Sequence, residues 1–180
     1  MIAEPIVQEI VRTLQDADRK TFDQLVRQLM HARRLFVSGV GRSGLVGQMF
    51  AMRLMHLGQT VYVAGETVTP AIGSGDTLIC LSASGTTAAV VRAAELAHRH
   101  GAEVVALTAS PHSRLASLSR FVAHLRHASP EGSDAVIRGM PMGTRFELAA
   151  LIYLEAIVFE WIHLESIDEA TMRSRHANLE

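Results

Sequence analysis

The chain has 180 residues, with 17 lysines and arginines against 18 aspartates and glutamates, and a formal charge of -1. A chain of this length is typical of one domain that buries its own core, so it needs no disulfide or structural metal. The near-neutral charge argues against a nucleic acid partner, which usually requires a basic face. The classes of function that remain are small-molecule chemistry and association with other proteins.

Lysine and cysteine are almost absent, and this argues against several kinds of chemistry. Lys20 is the only lysine and lies in a polar stretch far from any glycine-rich turn, which argues against a P-loop, a Schiff base and a pyridoxal enzyme. Cys80 is the only cysteine and lies in an apolar run, so it is expected in the core. The first ten residues lack a secretory signal pattern, and a cytoplasmic location is expected.

The predicted elements are two helices followed by alternating strands and helices. Residues 1–32 have helical periodicity with a break near residues 16–18. Continuous apolar strands, as found after this point, are typical of a parallel sheet covered on both faces. The strand candidates are Leu35–Ser38, Thr60–Ala64, Thr77–Leu81, Glu103–Thr108 and Arg120–Leu125, and the helix candidates between them are Ser43–Leu57, Thr87–His100 and Ser113–Leu118.

This order predicts a doubly wound α/β fold with a five-stranded parallel sheet flanked by helices. The whole chain, 1–180, is expected to be one domain. Its parts are N-terminal helices in 1–32, an α/β core in 33–126 and a helical region in 140–180, while the polar stretch 127–139 is expected to be a mobile surface loop.

The apolar stretch Leu148–Leu164 predicts a long buried helix. Glu155 and Glu160 interrupt it, so a membrane span is not expected. Helical spacing predicts two apolar sides, and burial on two sides in so small a chain indicates a subunit contact. The first side consists of Leu151, Leu154, Val158 and Ile162, and the second of Ile152, Phe159 and Trp161.

Two loops follow strands at the edge where such folds bind ligands. In the first, Gly39, Gly41 and Gly44 have the spacing of a dinucleotide fingerprint, and Glu66 lies where a ribose-binding acid would be expected. The glycines could equally form only a tight turn. The second loop, residues 82–87, carries four hydroxyl groups and a glycine at the start of a predicted helix, a pattern that suits a phosphate monoester.

The second loop, Ser82-Ala83-Ser84-Gly85-Thr86-Thr87, resembles the signature of sugar isomerase (SIS) domains, and within that superfamily the chain resembles the 6-phospho-3-hexuloisomerase family. The resemblance covers nearly the whole chain. Its further motifs are Gly41-Arg42-Ser43-Gly44-Leu45, residues 51–58, residues 65–72, residues 141–147 and residues 175–180.

The resemblance implies interconversion of D-arabino-hex-3-ulose 6-phosphate and D-fructose 6-phosphate, the second step of formaldehyde fixation by the ribulose monophosphate route. It also implies a homotetramer with shared active sites and no metal or organic cofactor. It makes Glu147 the base that moves the proton, although a first-turn glutamate can also complement a helix dipole. His56 is implied near the sugar, in its own or a partner's site, although a histidine at the end of an apolar helix is commonly packed there.

The remaining residues that the resemblance implies in binding belong to the two loops, of which the first contacts the sugar and the second the phosphate. Thr86 departs from the family, in which many members have glutamate at this position. Glu66 either orders its own loop, Gly65–Pro70, or meets sugar hydroxyls, and a structural ion pair is an equal alternative. The binding residues are Gly41, Arg42, Ser43, Ser82, Ala83, Ser84, Gly85, Thr86 and Thr87.

Two alternatives remain open at this stage. SIS domains also serve as non-catalytic phosphosugar sensors in regulators, although no attached DNA-binding module is apparent. An NAD-binding protein would explain the first loop but not the second. The other histidines lack metal-ligand spacing, and no metal site is expected.

Overall fold

Five parallel strands form one sheet between two layers of helices. The computed structural model describes residues 3–126, 140 and 142–179. The sheet has the order β2-β1-β3-β4-β5, and every neighbouring pair is parallel. Its strands are β1 (Arg34–Gly39), β2 (Val61–Val63), β3 (Asp76–Leu81), β4 (Glu103–Thr108) and β5 (Phe121–His124). The described helices are α1 (Ala3–Gln15), α2 (Arg19–Met30), α3 (Gly41–His56), α4 (Ala88–Arg99), α5 (Arg114–Leu118), α6 (Thr144–Glu165) and α7 (Glu169–Ser174).

The sheet is buried on both faces because successive side chains of each strand enter different cores. Ile79 of β3 packs in a large core with α1, α2, α3 and α6, whereas Cys80 packs in a second core against α4 and α5. All six residues of β3 are buried. Burial also raises the pKa of the Cys80 thiol, as expected for a core residue and not for a nucleophile.

The predicted fold class and the order of the elements are confirmed, with small differences at the boundaries. The break near residues 16–18 is confirmed: Asp18 caps α2, and its carboxylate accepts a hydrogen bond from the Thr21 N–H. Gly58 and Gly101, which follow α3 and α4, have the positive φ angles of left-handed caps. Helix α3 starts at Gly41, two residues earlier than predicted. The predicted loop 127–139 lies outside the described residues.

The second apolar side predicted for the C-terminal helix is present, but Trp161 does not belong to it. Trp161 is fully buried, because it lies seven positions, or two helical turns, after Leu154 and therefore on the same side of α6. Ile152 and Phe159 are exposed, and Phe159 has 70% of its surface accessible. The helix is therefore buried along one broad side and leaves a narrow apolar side uncovered. No helix in the described parts of the chain is long and apolar enough to cross a membrane.

A buried ion pair joins the N-terminal helix to the start of α6. Glu9 has only 2% of its side chain exposed, and its Oε1 lies 3.1 Å from Nε of Arg145 at an angle outside hydrogen-bond geometry. The other carboxylate oxygen lies 3.5 Å from the exposed Arg12. A buried charge needs a partner of opposite sign, so this contact fixes α1 against the first turn of α6.

Candidate functional site

A cavity of about 510 Å³ lies where β1 and β3 end. The strand order 2-1-3-4-5 changes direction between β1 and β3, and doubly wound folds bind ligands at this point. The loops after these strands meet the start of α6 there. The residues that line the cavity are Val40, Arg42, Ser43, Leu81, Ser82, Ala83, Ser84, Thr87, Met142, Gly143 and Glu147.

The three helices that begin at this cavity lack side-chain caps. The residues before α3, α4 and α6 are Val40, Thr87 and Gly143, and none of their side chains bonds the first turn. By contrast, α2, α5 and α7 begin with an aspartate or serine side chain that accepts a first-turn N–H. Helix starts leave backbone N–H groups unpaired and carry partial positive charge, so the cavity favours an anion.

The loop after β3 holds its hydroxyl groups in a fixed arrangement. Ser82 Oγ lies 2.9 Å from Thr87 Oγ1 and accepts the Gly85 N–H at 3.1 Å. Ser84 Oγ accepts hydrogen bonds from the N–H and the hydroxyl of Thr86. The hydroxyls of Ser82, Ser84 and Thr87 thus reach the cavity already oriented, as phosphate recognition requires.

Gly85 makes this arrangement possible. Its φ is +63°, and a Cβ atom added there would lie 1.9 Å from Oγ of Ser113. Its carbonyl also accepts the Leu115 N–H, which ties the loop to α5. A larger residue at position 85 would therefore displace α5 or the loop.

Gly85→Ala is expected to lower the free energy of unfolding by about 1 to 3 kcal/mol, because the left-handed backbone and the clash both oppose the methyl group. Chemical denaturation of the variant measures this loss. Gly73→Ala is the matched control, since a Cβ atom at Gly73 meets nothing within 4 Å. Equal stability of the two variants would contradict the role assigned to Gly85.

Glu147 is the carboxylate of the cavity. It lies in the first turn of α6, is 7% exposed, and its backbone N–H bonds the Gly143 carbonyl. Oε2 of Glu147 accepts a hydrogen bond from Nε of Arg42, a residue 105 positions away in the first turn of α3. The Arg42 side chain is 65% exposed, so the pair spans from the buried floor of the cavity to its mouth.

The glycines of the first loop have a packing role. A Cβ atom at Gly44 would lie 2.8 Å from the Gly39 carbonyl oxygen, so α3 touches the end of β1 backbone to backbone. Gly41 has a φ of +60° and an open position for Cβ. Glu66 is exposed in the turn after β2 and does not line the cavity. The fingerprint spacing is thus explained without a dinucleotide.

His56 lies far from this cavity in its own chain. Ser43 and His56 are 13 residues apart on α3, which separates them by ~20 Å along the helix axis. His56 is 4% exposed, and its ring stacks on that of His176 with centroids 5.3 Å apart. Its Nε2 is buried without a hydrogen-bond partner among the described residues. The ring lines a second cavity, of about 390 Å³, with Arg53, Glu169, Met172, Arg173 and His176.

The buried position of His56 makes stability depend on pH. Burial lowers the pKa of His56, and the charges of His176 and Arg53 lower it further. The unfolded chain therefore binds a proton at His56 at a higher pH than the folded chain does. The contribution of neutral His56 to the free energy of unfolding is fully present above about pH 6.5 and is lost as the pH drops below this value. The loss levels off below the pKa that His56 has in the folded chain.

We expect His56→Asn to lose less stability than the wild-type protein between pH 7.5 and pH 5.5. Chemical denaturation at the two pH values measures the difference. His163→Asn is the control, because His163 is exposed on α6. An unchanged pH dependence in the His56 variant would show that another group is responsible.

The structure brings most of the predicted site residues together but not all. Seven of them line the cavity, whereas His56 lines the second one, and Gly41, Gly85 and Thr86 act on the shape of the loops without lining the space. The seven are Arg42, Ser43, Ser82, Ala83, Ser84, Thr87 and Glu147. Sequence reasoning missed Val40, Leu81, Met142 and Gly143. Gly143 had a signal, since a glycine just before a predicted helix is a common cap.

The described part of the chain contains no cluster of side chains that could bind a metal ion. No group of three or more histidine, cysteine, aspartate or glutamate side chains there could hold an ion. Among the described residues, the polar groups that line the cavity at the ends of β1 and β3 are hydroxyls, backbone amides, one guanidinium and one carboxylate. Such a set can bind a phosphate ester and move a proton.

The model of the SIS domain family matches residues 28–151. A 3-hexulose-6-phosphate isomerase of Mycobacterium gastri is 42% identical over 173 residues, which cover 96% of this chain and 86% of the relative. A crystal structure from Methanococcus jannaschii, from which the function of a 3-hexulose-6-phosphate isomerase was inferred, has a TM-score of 0.85 at 32% identity and covers 99% of this chain and 97% of that one. The Vibrio vulnificus NanR protein complexed with ManNAc-6P has a TM-score of 0.75 at 28% identity, over 97% of this chain and 67% of that one.

The family match spans the five strands, the loop after β3 and the start of α6. The chain belongs to the SIS domain family, in the group that contains the 3-hexulose-6-phosphate isomerases.

Proposed function

We propose that this protein is an isomerase that interconverts D-arabino-hex-3-ulose 6-phosphate and D-fructose 6-phosphate. The observation that carries the proposal is that one cavity holds both a hydroxyl cradle and a buried carboxylate, that of Glu147. The hydroxyl cradle consists of the side chains of Ser82, Ser84 and Thr87 beside the N-terminus of α4. The cradle suits a phosphate ester, and the carboxylate suits proton transfer on the attached sugar. The similarity to isomerases over nearly the whole chain supports the same substrate.

The reaction moves a carbonyl group from C3 to C2. Glu147 removes the C2 proton, the C2–H electron pair forms a C2–C3 double bond, and the C3 carbonyl oxygen takes up the negative charge of an enediolate. Oxygen-bound protons then redistribute, the carbonyl re-forms at C2, and the proton returns to C3. Both electrons stay within the substrate, since C2 is oxidised and C3 is reduced. The reaction therefore needs no external oxidant or reductant.

The binding residues have distinct roles in this proposal. The hydroxyls of Ser82, Ser84 and Thr87 and the Ala83 N–H bind the phosphate oxygens, together with the first-turn N–H groups of α4. Ser43 adds a hydroxyl from the first turn of α3. Gly41, Gly85 and Thr86 shape the two loops, and Arg42 supplies the positive charge.

Conversion of the 3-hexulose phosphate by the purified protein tests the function directly. Fructose 6-phosphate is expected to form. A coupled assay measures it by converting it to glucose 6-phosphate with a phosphoglucose isomerase and then oxidising the glucose 6-phosphate with a dehydrogenase. Binding of fructose 6-phosphate in calorimetry without any conversion in either direction would favour the second candidate, a non-catalytic phosphosugar sensor. The similarity to NanR, which was solved with a sugar phosphate, is the observation that favours a sensor.

We further propose a homotetramer in which sites are shared between subunits. Exposed apolar side chains on three helices of one layer support it, because such a surface usually marks an interface. They are Val7 and Val11 on α1, Leu45, Met49 and Met52 on α3, and Ile152 and Phe159 on α6. In such an assembly His56 would meet the substrate of a partner subunit, since it is remote from Glu147 in its own chain. Light scattering is expected to give four times the 19.6 kDa of one chain.

The same proposal places the protein in the cytoplasm, in the ribulose monophosphate route of formaldehyde fixation. The 3-hexulose phosphate of that route is the substrate proposed here. Loss of growth on formaldehyde-generating carbon sources after deletion of the gene is the expected phenotype.

A further inference from the structure

We propose that the phosphate group of the substrate switches on the catalytic base by taking Arg42 away from Glu147. The inference rests on the proposed function and adds a specificity device to it. It starts from the ion pair in the unliganded chain, where Nε of Arg42 donates to Oε2 of Glu147. A carboxylate oxygen that accepts a charge-assisted hydrogen bond has its lone pair engaged and its charge stabilised, and it is therefore a weak proton acceptor.

Charge in the cavity favours an exchange of partners. Arg42 and Glu147 are the two charged side chains among the described residues that line the cavity, and paired they leave it close to neutral. A phosphate monoester in the hydroxyl cradle brings about two negative charges, against the one of Glu147. A planar guanidinium binds phosphate oxygens with two parallel hydrogen bonds, so the phosphate is the stronger partner.

Burial decides which member of the pair moves. Glu147 is 9% exposed in its side chain and is held in the first turn of α6, whereas the Arg42 side chain is 65% exposed. Arg42 can therefore rotate about its own side-chain bonds without disturbing the core. Once it does, Oε2 of Glu147 faces the sugar carbons with no cation bound to it.

This arrangement predicts discrimination against sugars that lack the phosphate. A sugar without the phosphate not only binds more weakly but also meets a base that is still paired, so its turnover falls as well as its affinity. The binding energy of the phosphate, which is remote from the reacting carbons, is in this way used to free the base from Arg42. Arg42 thus acts as a positioning residue for the base as well as a phosphate ligand.

Deuterium exchange separates the two roles of Arg42. Fructose lacks the phosphate, and NMR in D₂O follows the replacement of its C3 proton by deuterium, with and without inorganic phosphite as a detached dianion. In the wild-type protein phosphite is expected to accelerate this exchange about tenfold or more. In Arg42→Ala the exchange without phosphite is expected to rise about twofold to fivefold above wild type, because the pair that restrains Glu147 is gone. Activation by phosphite should be largely lost.

The control is Arg120→Ala, which removes a similarly exposed arginine from another ion pair, the one with Glu103 at the amino ends of β4 and β5. Arg42→Met repeats the test with a longer side chain if the alanine variant does not fold. Exchange without phosphite that stays at or below wild type in the Arg42 variant would overturn the inference, as would a wild-type protein that phosphite does not activate. Conversion of fructose 6-phosphate by the wild-type protein, measured first, tests the proposed function separately.

Discussion

Glu147→Gln is expected to lower the turnover of the 3-hexulose phosphate by about two to four orders of magnitude, the usual contribution of a positioned general base. The amide keeps the size of the side chain but cannot accept the proton. Affinity for fructose 6-phosphate should not fall, because the proposed phosphate-binding residues lie on other elements, in the first turn of α3 and the loop between β3 and α4, and Arg42 is held less tightly by an amide than by a carboxylate. Steady-state kinetics and calorimetry measure the two effects.

Glu165→Gln is the matched control, since Glu165 is exposed at the far end of the same helix. Its turnover should equal that of the wild-type protein. A Glu147 variant with turnover close to wild type would contradict the assignment of the base. A variant that loses affinity and turnover together would indicate that Glu147 mainly shapes the cavity.

The second large effect is expected at the buried pair between α1 and α6. Glu9→Gln removes the negative charge that faces Arg145 in a buried position, and the free energy of unfolding should fall by about 3 to 5 kcal/mol. Arg12→Ala removes the exposed partner of the same carboxylate and should cost less than about 1 kcal/mol. Chemical denaturation of both variants gives the comparison.

A double variant tests the cause of this loss. Glu9→Gln with Arg145→Met removes both charges, so it should be more stable than Glu9→Gln alone. Equal losses in Glu9→Gln and Arg12→Ala would show that the buried contact contributes little. Arg145 lies two residues before Glu147, and for that reason the turnover of Glu9→Gln should fall as well.

The sequence predicts local structure well where one periodicity dominates. The strand from Thr77 to Leu81 and the hydroxyl-rich loop after it, residues 82–87, are apparent because a continuous apolar run is followed at once by hydroxyls and a glycine. The motif at residues 141–147, which resembles that of one family, then indicates Glu147. In both cases the signal lies within a few neighbouring residues.

Contacts between distant residues could not be predicted in this way. The pairs Arg42–Glu147 and Glu9–Arg145 join residues more than 100 positions apart, and no local pattern indicates which charges meet. The prediction for Trp161 is wrong for a local reason, because helical spacing groups it with Leu154 and not with Ile152 and Phe159. Only the packing of α1, α2 and α3 on α6 decides which apolar side is buried.

The absence of side-chain caps at α3, α4 and α6 couples ligand binding to folding. Helix starts have backbone N–H groups that water or an anion can satisfy, and the folded chain brings three such starts to one cavity, while the unfolded chain has no such site. By mass action a sugar phosphate at 100 times its dissociation constant adds about 2.7 kcal/mol to stability. The cellular concentration of its metabolite therefore helps to set how long each copy of this protein survives heat and proteolysis, and the enzyme is best protected when its substrate is abundant.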